Sequence, residues 1–477
     1  MNETSSRTLL SRAFANLKGL WQGIAGAGYN AETASLRPDL PQADLERVRR
    51  RMRECLESRG GEVSARARAA ALGRAYLALD ATGRRRFLMI LADDFDTDPK
   101  AVDTAIAGLQ SATMPESRKK AEAALRQALE APRVRLLTQF NALPEGVKFL
   151  VDMRAEILGL LDREPSLAGL ESDLKALLAT WFDVGFLEMR RITWDTAPAT
   201  LLEKLIAYEA VHAIGGWDDL KNRLDSDRRC FAFFHPRMPN EPLIFVEVAL
   251  TDGMADNVGA LLDEKAPLQD PAAADTAIFY SISNAQKGLA GISFGGFLIK
   301  RVADFLAAEF KNVKTFATLS PAPGFLAWLE TAPPGTAGVD LSGDDSAAFA
   351  ALGLDPADPA RMAAHLRTGE WVKSPQAETL KEPLSRLAAR YLAREKASEK
   401  GRAKRALDPV ANFHLTNGAR LERLNWLADT SPRGLRQSAG IMVNYRYELN
   451  HIEDNHEAYS DRGEVRVSPA VRGLLKA

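Results

Sequence analysis

Only two cysteines occur in the chain, Cys55 and Cys230, far apart and without a C-x-x-C pair. That argues against a disulfide framework and a thiolate zinc site, and it fits a reducing compartment. No apolar run reaches the ~18 residues that span a bilayer. The opening MNETSSRTLLSRAFANLKGLW lacks the apolar core of a secretory signal. Its Ser and Arg content weakly fits a transit peptide, but Glu3 is unusual there and an amphipathic first helix explains the segment as well. The chain closes on LLKA rather than a peroxisomal tripeptide, so cytoplasm is the expected compartment. An excess of one charge is missing too. Lys and Arg number 62 against 63 Asp and Glu, so no net field recruits nucleic acid or an acidic membrane, and an anionic ligand must be held by local donors.

What is present is enough chain for two or three domains, 477 residues. From about Leu45 to Phe182 the pattern is helical and rich in Ala, Leu, Arg and Glu. Leu167, Leu170, Leu174, Leu177, Leu178 and Trp181 form one apolar stripe, and Val147, Leu150, Val151, Leu158 and Leu161 another. Breaks at Gly60-Gly61, Asp96 to Pro99, Pro132, Pro144 and Pro165 cut the region into helices of bundle length. Residues 1–184 are therefore expected to form a helical bundle with an assembly role, since no His, Cys or paired acids gather there. The run Arg47 to Arg53, RVRRRMR, reads as the solvated face of an amphipathic helix.

Near Gly185 the texture changes, and residues 185–477 are expected to form a mixed α/β domain. Phe186 to Trp194 reads as a strand, Leu201 to His212 as a helix, and Cys230 to Phe234 and Leu243 to Leu250 as strands. Ala277 to Ser283 is a further strand, short, β-branched and aromatic. A loop with Gly288, Gly291, Gly295 and Gly296 follows, then Phe297, Leu298, Val302, Phe305, Leu306 and Phe310 at helical spacing. Glycines opening a helix make an anion site, because free N–H groups and the helix dipole favour a phosphate. A plain strand-to-helix connection fits the spacing equally. Thr315 to Leu319 is the next strand, and Ser320-Pro321 is expected to turn the chain out of the sheet with the Ser320 hydroxyl at a strand's carboxyl end. Residues 331 to 406 read as a surface excursion, and Ile441 to Tyr447 supplies a late strand.

Two patterns bear on chemistry. Gly291-Ile292-Ser293-Phe294-Gly295 satisfies G-x-S-x-G, the nucleophile elbow of serine hydrolases, although that elbow needs its strand directly before the serine and Asn284 to Ala290 intervene. Among six histidines, His451 and His456 are spaced too far for a helical zinc pair, and His212, His235, His365 and His414 show no partner in the sequence.

The runs YSISNAQKGLAGISFGGFLIKRV and LSPAPGF, then DPVANFHLTNGA and LNWLADTSPRGLRQSAGIMVNYRY, closely resemble the malonyl-CoA decarboxylase family. With YEAVH and RRCFAFFHP upstream, the likeness covers roughly residues 185 to 460, with a looser match in the helical region. The resemblance implies a catalytic part of GNAT acetyltransferase type, so that Ala290, Gly291, Ile292, Ser293, Phe294, Gly295 and Gly296 contact the CoA portion of the substrate. The general GNAT signature is degraded here, with Ala290 and Ser293 where Gln or Arg and the first Gly would stand. Some family members carry glutamate at the Ser293 position. The resemblance further implies Ser320 and His414 as the catalytic pair, Ser281 and Tyr447 as neighbouring polar groups, and a homotetramer.

Loss of CO2 from a malonyl thioester leaves a thioester enolate, so the expected reaction needs no cofactor beyond the CoA of the substrate and no metal. The protein must supply donors to the thioester oxygen and an acid for the new carbanion, and a histidine with a pKa near neutrality beside a serine hydroxyl meets those needs. An acyl-CoA-dependent acyltransferase, hydrolysis through Ser293 and a non-catalytic CoA-binding scaffold are the other classes open to this sequence.

Overall fold

The computed structural model describes residues 17–18, 20–25, 36–57, 61–182, 187–292, 298–331, 343–397 and 405–476. They fall into two compact units. One comprises Met1–Glu188, Phe233–Leu243 and Asn284–Phe294, the other Met189–Ala232, Ile244–Ser283 and Gly295–Ala477.

In the first unit the helices are α1 (Gln42–Leu56), α2 (Gly61–Ala78), α3 (Ala81–Asp93), α4 (Pro99–Ser111), α5 (Pro115–Ala128), α6 (Pro132–Asn141), α7 (Gly146–Leu160) and α8 (Ala168–Trp181). Proline opens α4, α5 and α6, where its missing N–H costs nothing. Asp80 caps α3 through the N–H of Gly83, 2.8 Å away. Leu170, Leu174 and Leu178 are buried as the stripe predicts. The basic run on α1 is only partly a solvated face, because Arg51 is buried and Arg49 pairs with Asp94 at 2.5 Å.

Residues 284–292 pack within this same unit. Arg154 of α7, itself buried, donates to the carbonyls of Gly288 at 2.6 Å and Ala290 at 2.9 Å while bonding Glu171. A side chain at Gly288 would meet the Val151 carbonyl at 1.8 Å, so only glycine allows this approach.

The second unit is built on a mixed sheet whose strands are β1 (Glu188–Ile192), β2 (Arg228–His235), β3 (Met238–Thr251), β4 (Thr276–Asn284), β5 (Thr315–Thr318), β6 (Ser320–Pro321), β7 (Arg420–Asn425) and β8 (Met442–Arg446). The sheet order is β1-β2-β3-β4-β5-β8-β6, with β7 on β8. Residues 233–243, the facing ends of β2 and β3, are counted with the first unit. A helical region followed by a mixed α/β sheet is the expected architecture. β4 and β5 pair in parallel, Thr276 with Thr315 through Phe279 with Thr318, and α11 (Leu298–Glu309) lies between them in sequence. α9 (Ala199–Tyr208) and α10 (Trp217–Arg223) precede β2.

Two expectations need correcting. Ser320-Pro321 does not leave the sheet: it forms β6, with Ser320 opposite Val443 and Pro321 opposite Met442. A two-residue edge strand tolerates proline because it asks little of the missing N–H. Nor is the stretch after residue 331 merely a surface excursion. Its helices α13 (Pro359–Thr368) and α14 (Lys381–Arg394) bury Met362, Leu366, Leu384, Leu387, Tyr391 and Leu392, and Trp371 between them is buried too. The alanine and leucine of that stretch supply a core of their own beneath the charged surface.

Strand alternation sorts the sheet's residues by face. Ile278, Tyr280, Ala317, Leu319 and Met442 join Ala249, Val258 and Leu261 in one apolar cluster. Phe279, Ser281, Thr318 and Ser320 consequently point to the other face.

Candidate active site

On that other face the structure joins three of the residues singled out in the sequence. Ser320 Oγ stands 2.9 Å from His414 Nε2, although the two are 94 positions apart, and His414 Nδ1 stands 2.8 Å from Tyr447 Oη. Each is buried: Ser320 is 6%, His414 3% and Tyr447 2% exposed. The arrangement follows from three elements. β6 carries Ser320, the last turn of α15 (Pro409–Thr416) carries His414, and Tyr447 follows β8, its N–H donating to Phe316 of β5. The imidazole lies against the ring of Tyr445, centroids 4.6 Å apart and planes 24° off parallel.

Asp408 ties these elements to one another. It caps α15 by accepting from the N–H groups of Val410 and Ala411, each at 2.9 Å, and accepts from Gly324 N–H at 3.3 Å and Tyr391 Oη at 3.1 Å. Gly324 has no room for a side chain, since a Cβ would meet Tyr391 Oη at 2.1 Å. The segment leaving Ser320 and the helix bearing His414 thus share one buried carboxylate, whose pKa burial pushes up.

Burial also sets the state of the imidazole. It holds the His414 pKa at about 3, so the ring is neutral at physiological pH. The near-neutral value that the sequence suggested is overturned, because no carboxylate lies close enough to offset the loss of water. A neutral imidazole has one donor and one acceptor nitrogen, which leaves two arrangements. Either Tyr447 donates to Nδ1 and Nε2–H donates to Ser320, or Ser320 donates to Nε2 and Nδ1–H donates to Tyr447. In the first the Ser320 proton faces outward, and in the second the Tyr447 proton does. Tyr447 is not a ready phenolate, since burial raises its pKa well above the ordinary 10.0.

Ser281 lies on the same face, two residues beyond the last β4–β5 pair, but its partners are different. Its hydroxyl donates to the buried carboxylate of Glu209, 2.8 and 2.9 Å from the two oxygens. Glu209 was missed in the sequence. The signal that could have found it is its place directly after α9, where a carboxylate faces the negative end of the helix dipole and needs special support.

In the glycine loop, Ala290, Gly291 and Ile292 are described, and Ser293, Phe294, Gly295 and Gly296 lie outside the described residues. Gly291 adopts a φ of 70°, and the Lys175 amine lies 3.3 Å from where its Cβ would be. Of the other histidines, His235 Nε2 is 3.0 Å from the Trp181 carbonyl, His456 Nδ1 is 2.5 Å from that of Thr416, and His451 is exposed. Among the described residues no three His, Cys, Asp or Glu side chains gather to hold a metal ion, and no helix is long and apolar enough to cross a membrane.

Fold and site define a protein with a helical region and a mixed α/β sheet that carries a buried Ser–His–Tyr hydrogen-bonded chain. The comparisons make this particular. Family models of the malonyl-CoA decarboxylase N-terminal domain and C-terminal domain match residues 95–182 and 185–477. The chain is 35% identical to the mitochondrial malonyl-CoA decarboxylase of Anser anser anser over 96% of its own length and 92% of the relative's. It is 38% identical to that of Mus musculus over 83% and 82%. A crystal structure of malonyl-CoA decarboxylase from Rhodopseudomonas palustris is similar with a TM-score of 0.80 and 43% identity, covering 90% of this chain and 99% of that one. The Agrobacterium vitis structure gives 0.78 and 41% over the same shares. The chain belongs to the malonyl-CoA decarboxylase family.

Proposed function

We propose that this chain converts malonyl-CoA to acetyl-CoA and CO2, with Ser320, His414 and Tyr447 delivering the proton. The observation that carries the reading is the unbroken Ser320–His414–Tyr447 chain of 2.9 and 2.8 Å in a member of this family. The bond between the α-carbon and the carboxylate breaks, its electron pair passes into the thioester to give an enolate, and CO2 leaves. Ser320 then protonates the α-carbon, Nε2–H of His414 replaces the serine proton while Tyr447 gives its own to Nδ1, and uptake of one solvent proton at Ser320 with the reverse shift along the chain returns the starting tautomer. Because the imidazole gives one proton as it takes another, it never becomes an imidazolium, which its burial forbids. No cofactor is required, since the thioester is its own electron sink. Ala290, Gly291 and Ile292, with Ser293, Phe294, Gly295 and Gly296 after them, take the CoA portion, and Lys175 beside Gly291 adds a cation for an anionic group.

The same reading includes a homo-oligomer, a tetramer by family likeness. α4 and α5 pack on each other yet bury none of their residues, and Ile106, Met114 and Leu129 stand exposed on or beside them. Two buried free thiols, Cys55 and Cys230, suit the reducing cytoplasm. The deciding assay is incubation with malonyl-CoA alone. Equimolar acetyl-CoA and CO2 support the proposal, whereas free malonate and CoA, or turnover only when an amine acceptor is added, would replace it with hydrolysis or acyl transfer.

A further inference from the structure

Glu209 is 4% exposed and directly follows α9, at the negative end of that helix's dipole. A carboxylate there is held only by donors, and it has four. Val211 N–H and His212 N–H each donate at 2.8 Å, Ser281 Oγ donates at 2.8 Å and Ser283 Oγ at 2.9 Å. Ala210 N–H in turn donates to Ser283 Oγ at 3.1 Å, fixing that hydroxyl from behind. The nearby guanidinium of Arg223 is committed elsewhere, to Glu247 at 3.0 Å and Asp219 at 2.7 Å. Neutral donors alone satisfy Glu209.

A serine has one proton to give. Ser281 spends its proton on Glu209, and the oxygen it presents otherwise carries lone pairs only. Ser281 also shares a sheet face with Ser320: the β4–β5 register ends at Phe279 with Thr318, and each serine lies two residues further along its chain. One serine there can donate and its neighbour can only accept.

We infer that Glu209 is a positioning residue for the reaction, locking Ser281 as a hydrogen-bond acceptor that meets the malonyl group with lone pairs backed by a negative charge. The inference rests on the decarboxylase reading. During the reaction the substrate's negative charge leaves the carboxylate for the thioester oxygen, and the carboxylate departs as neutral CO2. An acceptor backed by a carboxylate opposes the bound carboxylate and not the departing CO2, so it lowers the barrier by raising the ground state. It also excludes Ser281 as a donor to the thioester oxygen, since its proton is held by Glu209.

Kinetics of CO2 release by the wild type, Glu209→Gln, Ser281→Ala and the double variant test this, with CoA affinity measured by calorimetry in parallel. An amide at 209 can donate to Ser281 and free its proton to turn outward. Glu209→Gln is expected to lower kcat roughly ten- to a hundredfold, the scale of a hydrogen bond to a charged group, while CoA affinity stays within twofold. The double variant is expected to cost no more than the larger single one. Full activity in Glu209→Gln, or a loss that persists undiminished on the Ser281→Ala background, overturns the inference, the latter by showing that Glu209 acts only through the backbone of Val211 and His212. Should Glu209→Gln fail to fold, Ser283→Ala serves: a severalfold drop in kcat at unchanged CoA affinity supports the role, and an unchanged kcat overturns it. A wild type that releases no CO2 brings down the function and the inference together, and a wild type no better than an active Glu209→Gln brings down the inference alone.

Discussion

In the Glu209 group the hydroxyl protons converge on one carboxylate, whereas in the Ser320 group each proton has two destinations. Both groups are buried and lie in the same unit of the protein, built on strands of one sheet. Glu209 takes all that Ser281 and Ser283 can give. His414, neutral and flanked by two hydroxyls, leaves the direction of its hydrogen bonds undecided. Burial therefore does not by itself mark a reactive residue. The balance of donors and acceptors does, since a saturated group is fixed and a balanced neutral one can pass a proton on.

The most severe way to break this contrast is to remove the imidazole. His414→Ala is expected to lower kcat by roughly 10² to 10⁴, the usual worth of general acid–base catalysis, with CoA affinity retained. Ser320→Ala should match it, and the pair together should cost little more than one, because residues acting as a unit are strongly non-additive. Independent, additive losses in steady-state kinetics would mean that the two do not share a proton.

Tyr447→Phe tests the far end of the chain. It leaves Nδ1 without a partner in a dry site, and a loss of about ten- to a hundredfold in kcat is expected from the cost of one unsatisfied buried polar atom. A Phe variant as fast as the wild type would show that protons enter through Ser320 alone.

Asp408 sharpens the comparison from the structural side. Asp408→Ala removes a helix cap and two further hydrogen bonds, and urea titration should find the protein about 1–3 kcal/mol less stable. Asp408→Asn keeps an acceptor for the helix N–H groups and should lose less.

The smallest effects concern pH, and His414 and Glu247 predict opposite signs. Unfolded His414 takes a proton near its ordinary 6.5, but folded His414 does not until about 3. The unfolded state thus binds more protons, so this residue lowers stability as pH falls from about 6.5 toward 3, and His414→Gln should flatten that limb. Glu247 behaves conversely. Burial first, then the charge of Glu209, raises its pKa from 4.5 to about 8. Its folded form holds a proton that the unfolded form releases, and stability is lost as pH rises through that window. The kcat profile should carry no inflection near 6.5, which a charge-carrying imidazole would produce.

Much of this architecture was legible in the sequence, because helix and strand periods differ and prolines mark the helix starts. The strand of Ala277 to Ser283 and the helix after the glycine loop needed no tertiary information. Ser320 was placed beside a strand end by its proline, but not inside the sheet, since two-residue pairing leaves no periodic trace. His414 looked no different from five other histidines, and only the family likeness singled it out. Its partners are brought in across 94 and 33 positions, distances at which residue spacing says nothing. Glu209 went unnoticed because its worth lies in donors 72 and 74 positions away.

The shared carboxylate at Asp408 has an evolutionary corollary. It fastens the backbone just after Ser320 to the helix of His414 across 84 positions of chain. Closing a longer loop costs only about 0.6 kcal/mol for each doubling of its length, which is less than one such buried attachment. Relatives are therefore free to lengthen, shorten or rewrite the intervening chain while the serine and histidine keep their distance, provided that the clasp at 408 and the glycine at 324 survive.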